Sequence, residues 1–406
     1  MSRCVLAREV WKLKVEKGPS EHGVYKLGYL WLAPTFMNEF WKVDPDKGVV
    51  VGRFQMPGIV WGAPWVDEDA LYGASGGGFV RKFGMDGREV WTVNPGLGDF
   101  TAEAVVEAWS RYLAVQFPKG LAVLDKEDGT VVWSVEWSPE GPYSQEPTFD
   151  PETGLLWVCR PTAEDNLVAF DREGRAVWRF TLPSPATTYA CPQIWSRYLI
   201  VVCERHVVVV DRFSKRRLWS LDFGRVYYAG KPADALTGGP RTLTPDGKLL
   251  VWTIDGLYSC FDLETGVLLW RLDMGTLGYA TRDSTTYWGY RGAVASGGLA
   301  VFLGCNNLPM DSDNPYGYDR NRLFILDYES GRLVYVSEPR YRLACCCKPI
   351  LFRGRVVIGT WYKDSEDNEF PSYYYCWEIE DSSGRWGVDD GVYEWMGGWH
   401  HGGYSV

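Results

Sequence analysis

The sequence predicts an all-β fold, a single eight-bladed β-propeller of four-stranded antiparallel blades closed by its own N-terminal strand. Three observations carry this expectation. A phrase of strand, tight turn and aromatic recurs along the chain, and each copy follows a second hairpin. The last repeat lacks an outer strand, and the N-terminus holds one to spare.

The phrase is clearest at Asp125, Gly129 and Trp133, and again at Asp262, Gly266 and Trp270. It returns as Asp327, Gly331, Tyr335, and as Asp211, Lys215, Trp219 with lysine in the glycine place. Asp44 and Gly48 are followed by Gly52 where the aromatic would stand. Shorter turns give Asp171, Gly174, Trp178, and Gly87 with Trp91. The chemistry is that of a tight hairpin: the aspartate accepts turn N–H bonds and glycine takes the positive φ that ends a short loop. The aromatic that opens the next strand can then lie flat against the adjacent blade.

The preceding hairpins are centred near Lys26, Asp67, Ser110, Glu152, Ser196, Asp246, Gly297 and Gly354. Two hairpins per repeat make a four-stranded unit, and eight units suit a large propeller. The last second hairpin runs from Tyr373 to Glu380 and turns at Asp381 to Gly384, with no aromatic strand in the usual place. Arg8-Glu-Val-Trp11 is identical to Arg88-Glu-Val-Trp91, so residues 8–13 are expected to complete the last blade. Closure of that kind removes exposed sheet edges. Residues 1–406 then form one domain with a Gly-rich tail at 397–406.

Composition agrees with short strands joined by turns: 45 Gly, 23 Pro, 21 Trp and 24 Tyr among 406 residues. Repeats allow a chain of this length to be one domain, because each unit builds core against its neighbour. A net charge of −10 argues against a nucleic-acid backbone as partner. Lys215, Arg216 and Arg217 read as a solvated turn. Met1 to Trp11 holds no apolar run of the signal-peptide kind, and no apolar stretch is long enough for a membrane span, so a cytoplasmic location is expected. The ten cysteines are too dispersed for a secreted disulfide scaffold, and only four glutamines occur, a composition suggesting a thermophile. His22, His206, His400 and His401 have no zinc-ligand spacing.

The Asp125, Gly129, Trp133 phrase and its copies resemble the repeat of the PQQ-like (quinoprotein-type) β-propeller family over nearly the whole chain. Paired Gly-His and Trp-Asp signatures of WD40 repeats are missing. The resemblance implies the blade type and leaves function open, since enzymes and non-catalytic scaffolds share the repeat.

In this strand order, the loops leaving each second strand and those entering each blade open at one end. The long connections, 225–239, 275–290, 305–321 and 361–372, are all of these kinds, and that elaborated end is the expected binding surface. Its candidate contact residues are Tyr227, Tyr228, Tyr279, Arg282, Asp283, Tyr287, Trp288, Tyr290, Tyr316 and Tyr318. Aromatics among a few charges suit a protein or other ligand. Asp311, Asp313 and Asp319 supply oxygen ligands of the kind Ca²⁺ takes, although their spacing is not that of an EF-hand. Cys345 to Cys347 opens the last blade. Adjacent cysteines also occur in the quinoprotein dehydrogenases that the repeats resemble, while packed free thiols are the simpler reading.

The leading expectation is a non-catalytic scaffold that needs no cofactor. The resemblance implies one alternative, a dehydrogenase with PQQ and Ca²⁺ over the channel and an aspartate base. A hydrolase or lyase at the channel mouth is another.

Overall fold

Each phrase of the sequence becomes the outer half of a blade. The computed structural model describes residues 3–16, 20–35, 37–98, 105–138, 146–160, 162–184, 192–228, 231–236, 241–279, 293–304, 322–338, 349–359 and 372–387. They form an all-β, eight-bladed β-propeller of four-stranded antiparallel blades. Seven blades span 20–55, 65–93, 105–136, 148–180, 193–222, 241–273 and 294–336, and the eighth joins Val5–Val15 to 350–381. By contact the described residues fall into two units: 22–203 with 207–218, and the N-terminal strand with 204–206 and everything from 219 onward.

The inner strands read as continuous apolar runs because both of their faces are covered. In the third blade Leu113 and Val115 pack towards the second, while Ala114 packs towards the fourth. Within each unit the core is therefore a series of layers between consecutive blades: one and two, two and three, three and four, four and five, then six and seven, seven and eight. Outer strands have one open face and alternate in burial, as Val131–Glu136 shows.

The recurring aromatic ties one blade to the next. The indole N–H groups of Trp91, Trp133, Trp219 and Trp270 donate to the carbonyls of Lys126, Arg172, Leu263 and Tyr328, at 3.2, 2.9, 2.9 and 2.8 Å. Each acceptor follows the turn aspartate of the next blade. Gly129, Gly174, Gly266 and Gly331 lie against those same indoles, and a Cβ there would stand 2.7–2.8 Å from ring carbons. All four have φ of +70° to +79°, so both conformation and space call for glycine. Lys215 takes the same left-handed place at φ +61°, at a cost of about 1 kcal/mol.

A β-bulge sets the aromatic's direction. One extra outer-strand residue sits just before it: Val10, Val90, Val132, Val177, Leu269 and Val334, with Val51 at the same place before Gly52. The bulge kinks the strand and blunts its free edge, leaving residues such as Val90 exposed.

The N-terminal strand closes the eighth blade. It is longer than expected: Val5 pairs with Asp381 and Val15 with Ser372, with Trp11 opposite Cys376. Tyr335 of the seventh blade donates its hydroxyl to the carbonyl of Ala7 at 3.3 Å. Arg3 adds a clasp, donating to both oxygens of Asp381 at 2.9 and 2.6 Å and to the carbonyl of Gly297 at 2.6 Å. Burial works against ionising Asp381, but the bonds from Arg3 and Ser383 prevail and hold its carboxyl well below the usual carboxylate range. Deleting residues 1–14 is expected to lower stability by more than about 4 kcal/mol, beyond the range of ordinary substitutions. Thermal and denaturant unfolding of the truncated chain checks this, and an unchanged midpoint would contradict strand closure.

Candidate binding surface

One connection at the loop-rich end is a structure in its own right. After the fifth blade's outer strand, Arg225–Tyr228 pairs with Lys231–Asp234 as a two-stranded hairpin outside any blade. An isolated hairpin is marginal in water, so this one depends on its base. There the Ala235 N–H donates to the carbonyl of Gly224 at 3.1 Å, and the Leu236 N–H donates to that of Glu204 at 2.8 Å. The Phe223 N–H donates to Arg205 and the Ile254 N–H to Ala235, at 2.8 and 3.0 Å. Ala235 and Leu236 are fully buried, and Phe223 sets its ring edge-on to Phe261 at 5.9 Å.

A charged cluster surrounds this base. Arg205 donates to Asp222 at 2.6 Å, and the Gly224 N–H donates to the same carboxylate at 2.7 Å. These two bonds hold Asp222 below its ordinary value. His206 Nε2 stands 3.5 Å from Asp222, and Arg225 Nε stands 3.5 Å from Asp234. Burial pushes the carboxyl of Glu204 up, and the charge and hydrogen bond of Asp234 push it further. Asp222 and Asp234 each stand within ion-pair distance of an arginine, an arrangement that fixes the base of the hairpin.

Tyr227 of the hairpin is 48% exposed. Tyr228 is the next residue on its strand, in register with Lys231. Tyr279 differs: it is half-buried, with its ring edge-on to Phe324 at 5.2 Å, so it packs a blade. Arg282, Asp283, Tyr287, Trp288, Tyr290, Tyr316 and Tyr318 lie outside the described residues, as do Asp311, Asp313, Asp319 and the run Cys345 to Cys347. Among the described residues no group of three or more His, Cys, Asp or Glu side chains is placed to hold a metal ion. Glu204, Arg205, Asp222 and Asp234 escaped the sequence reading. Their signal was the polar Glu204-Arg205-His206 interruption of an apolar run.

The short-turn end of the sixth to eighth blades holds a depression of about 390 Å³ between turns 245–246, 297–298, 328–329 and 384–385. Arg385 spans it with a bidentate pair to Glu329, both bonds 2.9 Å, and Lys248 pairs with Asp246.

The family model described as outer membrane protein assembly factor BamB matches residues 118–224 and 203–302. These segments hold the Asp, Gly, Trp phrases whose geometry is given above. These residues carry the PQQ-like β-propeller repeat. No curated protein matches it in sequence. Among solved structures, the chain is similar to BamB from Moraxella catarrhalis, at 12% identity and a TM-score of 0.64 over 91% of this chain and 99% of that one. It is also similar to a europium-containing methanol dehydrogenase, at 12% identity and a TM-score of 0.68 over 92% and 93%. A quinohemoprotein alcohol dehydrogenase from Comamonas testosteroni gives 12% identity and a TM-score of 0.65 over 91% and 76%. At such identity the likeness is one of fold.

The Glu204 carboxyl yields a pH test. Its raised value means that its contribution is complete below the ordinary glutamate value of about 4.3 and is lost as pH rises through the folded one. Glu204→Gln keeps the neutral form at every pH, so its melting temperature should gain on the wild type across that window. Parallel melting curves would contradict the raised value of Glu204.

Proposed function

We propose that the protein is a non-catalytic propeller that captures a partner protein with its loop-rich end. The observation that carries this reading is the hairpin 225–234, built outside the blades, fixed by buried and ion-paired residues at its base and exposing Tyr227. An elaboration held that firmly presents a preformed surface, which lowers the entropic cost of binding. The matching family description names an assembly factor, which supports a partner-binding role.

Tyr287, Trp288, Tyr316 and Tyr318 extend this proposed surface on the evidence of sequence, because large amphipathic rings bury area at modest entropic cost. Tyr227→Ala and the pair Tyr287→Ala, Trp288→Ala should leave the fold intact. Each true anchor should weaken capture of the partner by about 2 kcal/mol. Capture from native extract that survives these changes, but fails with Asp128→Ala or Glu173→Ala in the short turns, would place the site at the other end.

A second reading is favoured by the two neighbours whose names are those of alcohol-oxidising dehydrogenases. It requires residues that hold a quinone and its metal. Among the described residues no group of three or more His, Cys, Asp or Glu side chains is placed to hold that metal, and no step is assigned to a cofactor. Incubation with PQQ and Ca²⁺, followed by dye reduction over alcohols and sugars, separates the readings. The binding role expects no turnover, and saturable turnover would replace it.

A further inference from the structure

The fifth blade's turn keeps the aspartate and the tryptophan of the repeat and departs from it between them. At the second residue after the turn aspartate, the first, third, fourth, sixth and seventh blades carry an acid: Asp46, Glu127, Glu173, Glu264 and Glu329. The fifth blade carries Phe213, 52% exposed. Its glycine place is held by Lys215 in the left-handed region, a backbone conformation retained at a cost in strain. The following residues, apolar or mixed elsewhere, are Arg216 and Arg217, both exposed, with Leu218 beside them at 42% exposure.

The rest of the turn is rigid. The Asp211 carboxylate accepts from the N–H groups of Phe213 and Ser214, each at 3.0 Å, and is ion-paired with Arg197. Arg212 is buried, paired with Asp150 and with Glu152, and lies 4.4 Å below the Phe213 ring. The inner charges are thus compensated. Among the described residues Lys215, Arg216 and Arg217 form no ion pair, so the turn is an apolar apex beside three uncompensated cations on a chain of net charge −10.

We propose that this turn docks the protein on an anionic phospholipid surface, with Phe213 inserted among the headgroups and Lys215, Arg216 and Arg217 on the lipid phosphates. The tip of a hairpin is convex. It can enter a soft surface, whereas an acidic peptide or a nucleic acid is better held in a groove. Aromatic insertion joined to cations is the combination that binds interfaces. In the same unit, the acidic turn residues Asp46, Glu127 and Glu173 of the first, third and fourth blades are repelled by an anionic surface, which disfavours contact through them.

The test uses the full chain and sedimentation with vesicles of phosphatidylcholine alone or mixed with phosphatidylglycerol. The expected result is binding to the mixed vesicles only, weakened by salt. Phe213→Ser and the pair Arg216→Ser, Arg217→Ser should each reduce binding at least tenfold. Lys215→Gly should reduce it about fivefold, the weight of one cation, while raising the melting temperature by relieving strain. That opposite movement separates lost contact from lost fold. Absence of binding to mixed vesicles, binding unchanged in these variants, or retention on poly-glutamate without retention on vesicles would each overturn the proposal.

Discussion

A tryptophan laid on the turn glycine of the next blade is the contact on which this ring depends. A four-stranded blade has two apolar faces and cannot bury either alone, so the fold exists only where neighbours are held in register. The indole supplies area through its ring and direction through its N–H, which finds a carbonyl one residue past the turn aspartate. The glycine is required twice, for its positive φ and for the space its missing Cβ leaves. Residues beside that carbonyl strengthen the join by reaching back to the preceding blade. Lys126 pairs with Asp67, Arg212 with Asp150, and Arg172 stacks over Tyr112.

Open repeat arrays need terminal caps, and this chain avoids them by closing. The outer strand of the eighth blade comes from the N-terminus, so the first residues of the chain and the last strand complete one sheet. Arg3 reinforces that join electrostatically, using a carboxylate whose ionised form the fold favours.

Much of the fold was legible because it is repetitive. The eight first hairpins turn where glycine, aspartate and serine predicted, and the duplicated Arg-Glu-Val-Trp revealed closure from four residues. What repetition could not show was contact between residues far apart in sequence. Arg3 resembles any N-terminal arginine until Asp381 is beside it, and Tyr279 reads as a loop aromatic until Phe324 is found against its ring. The hairpin at 225–234 was visible only as length, since Pro232 and a short apolar content weaken its strand signal. Tyr227, in another long connection, stays exposed. The departures from the repeat, this hairpin and the Phe213 turn, are where function is sought, because residues that serve the ring are shared among blades and residues that serve a partner need not be.

The central claim is that the indole and the turn glycine act as one unit, and a double-mutant cycle on Trp133 and Gly174 tests it most directly. A Cβ at Gly174 would meet the Trp133 ring at 2.7 Å, so Gly174→Ala should cost less once Trp133→Ala has removed that ring. The expected coupling is about 1 kcal/mol or more in urea unfolding, leaving only the left-handed strain in the double variant. Costs that add to within about 0.5 kcal/mol would show two independent sites and contradict the account.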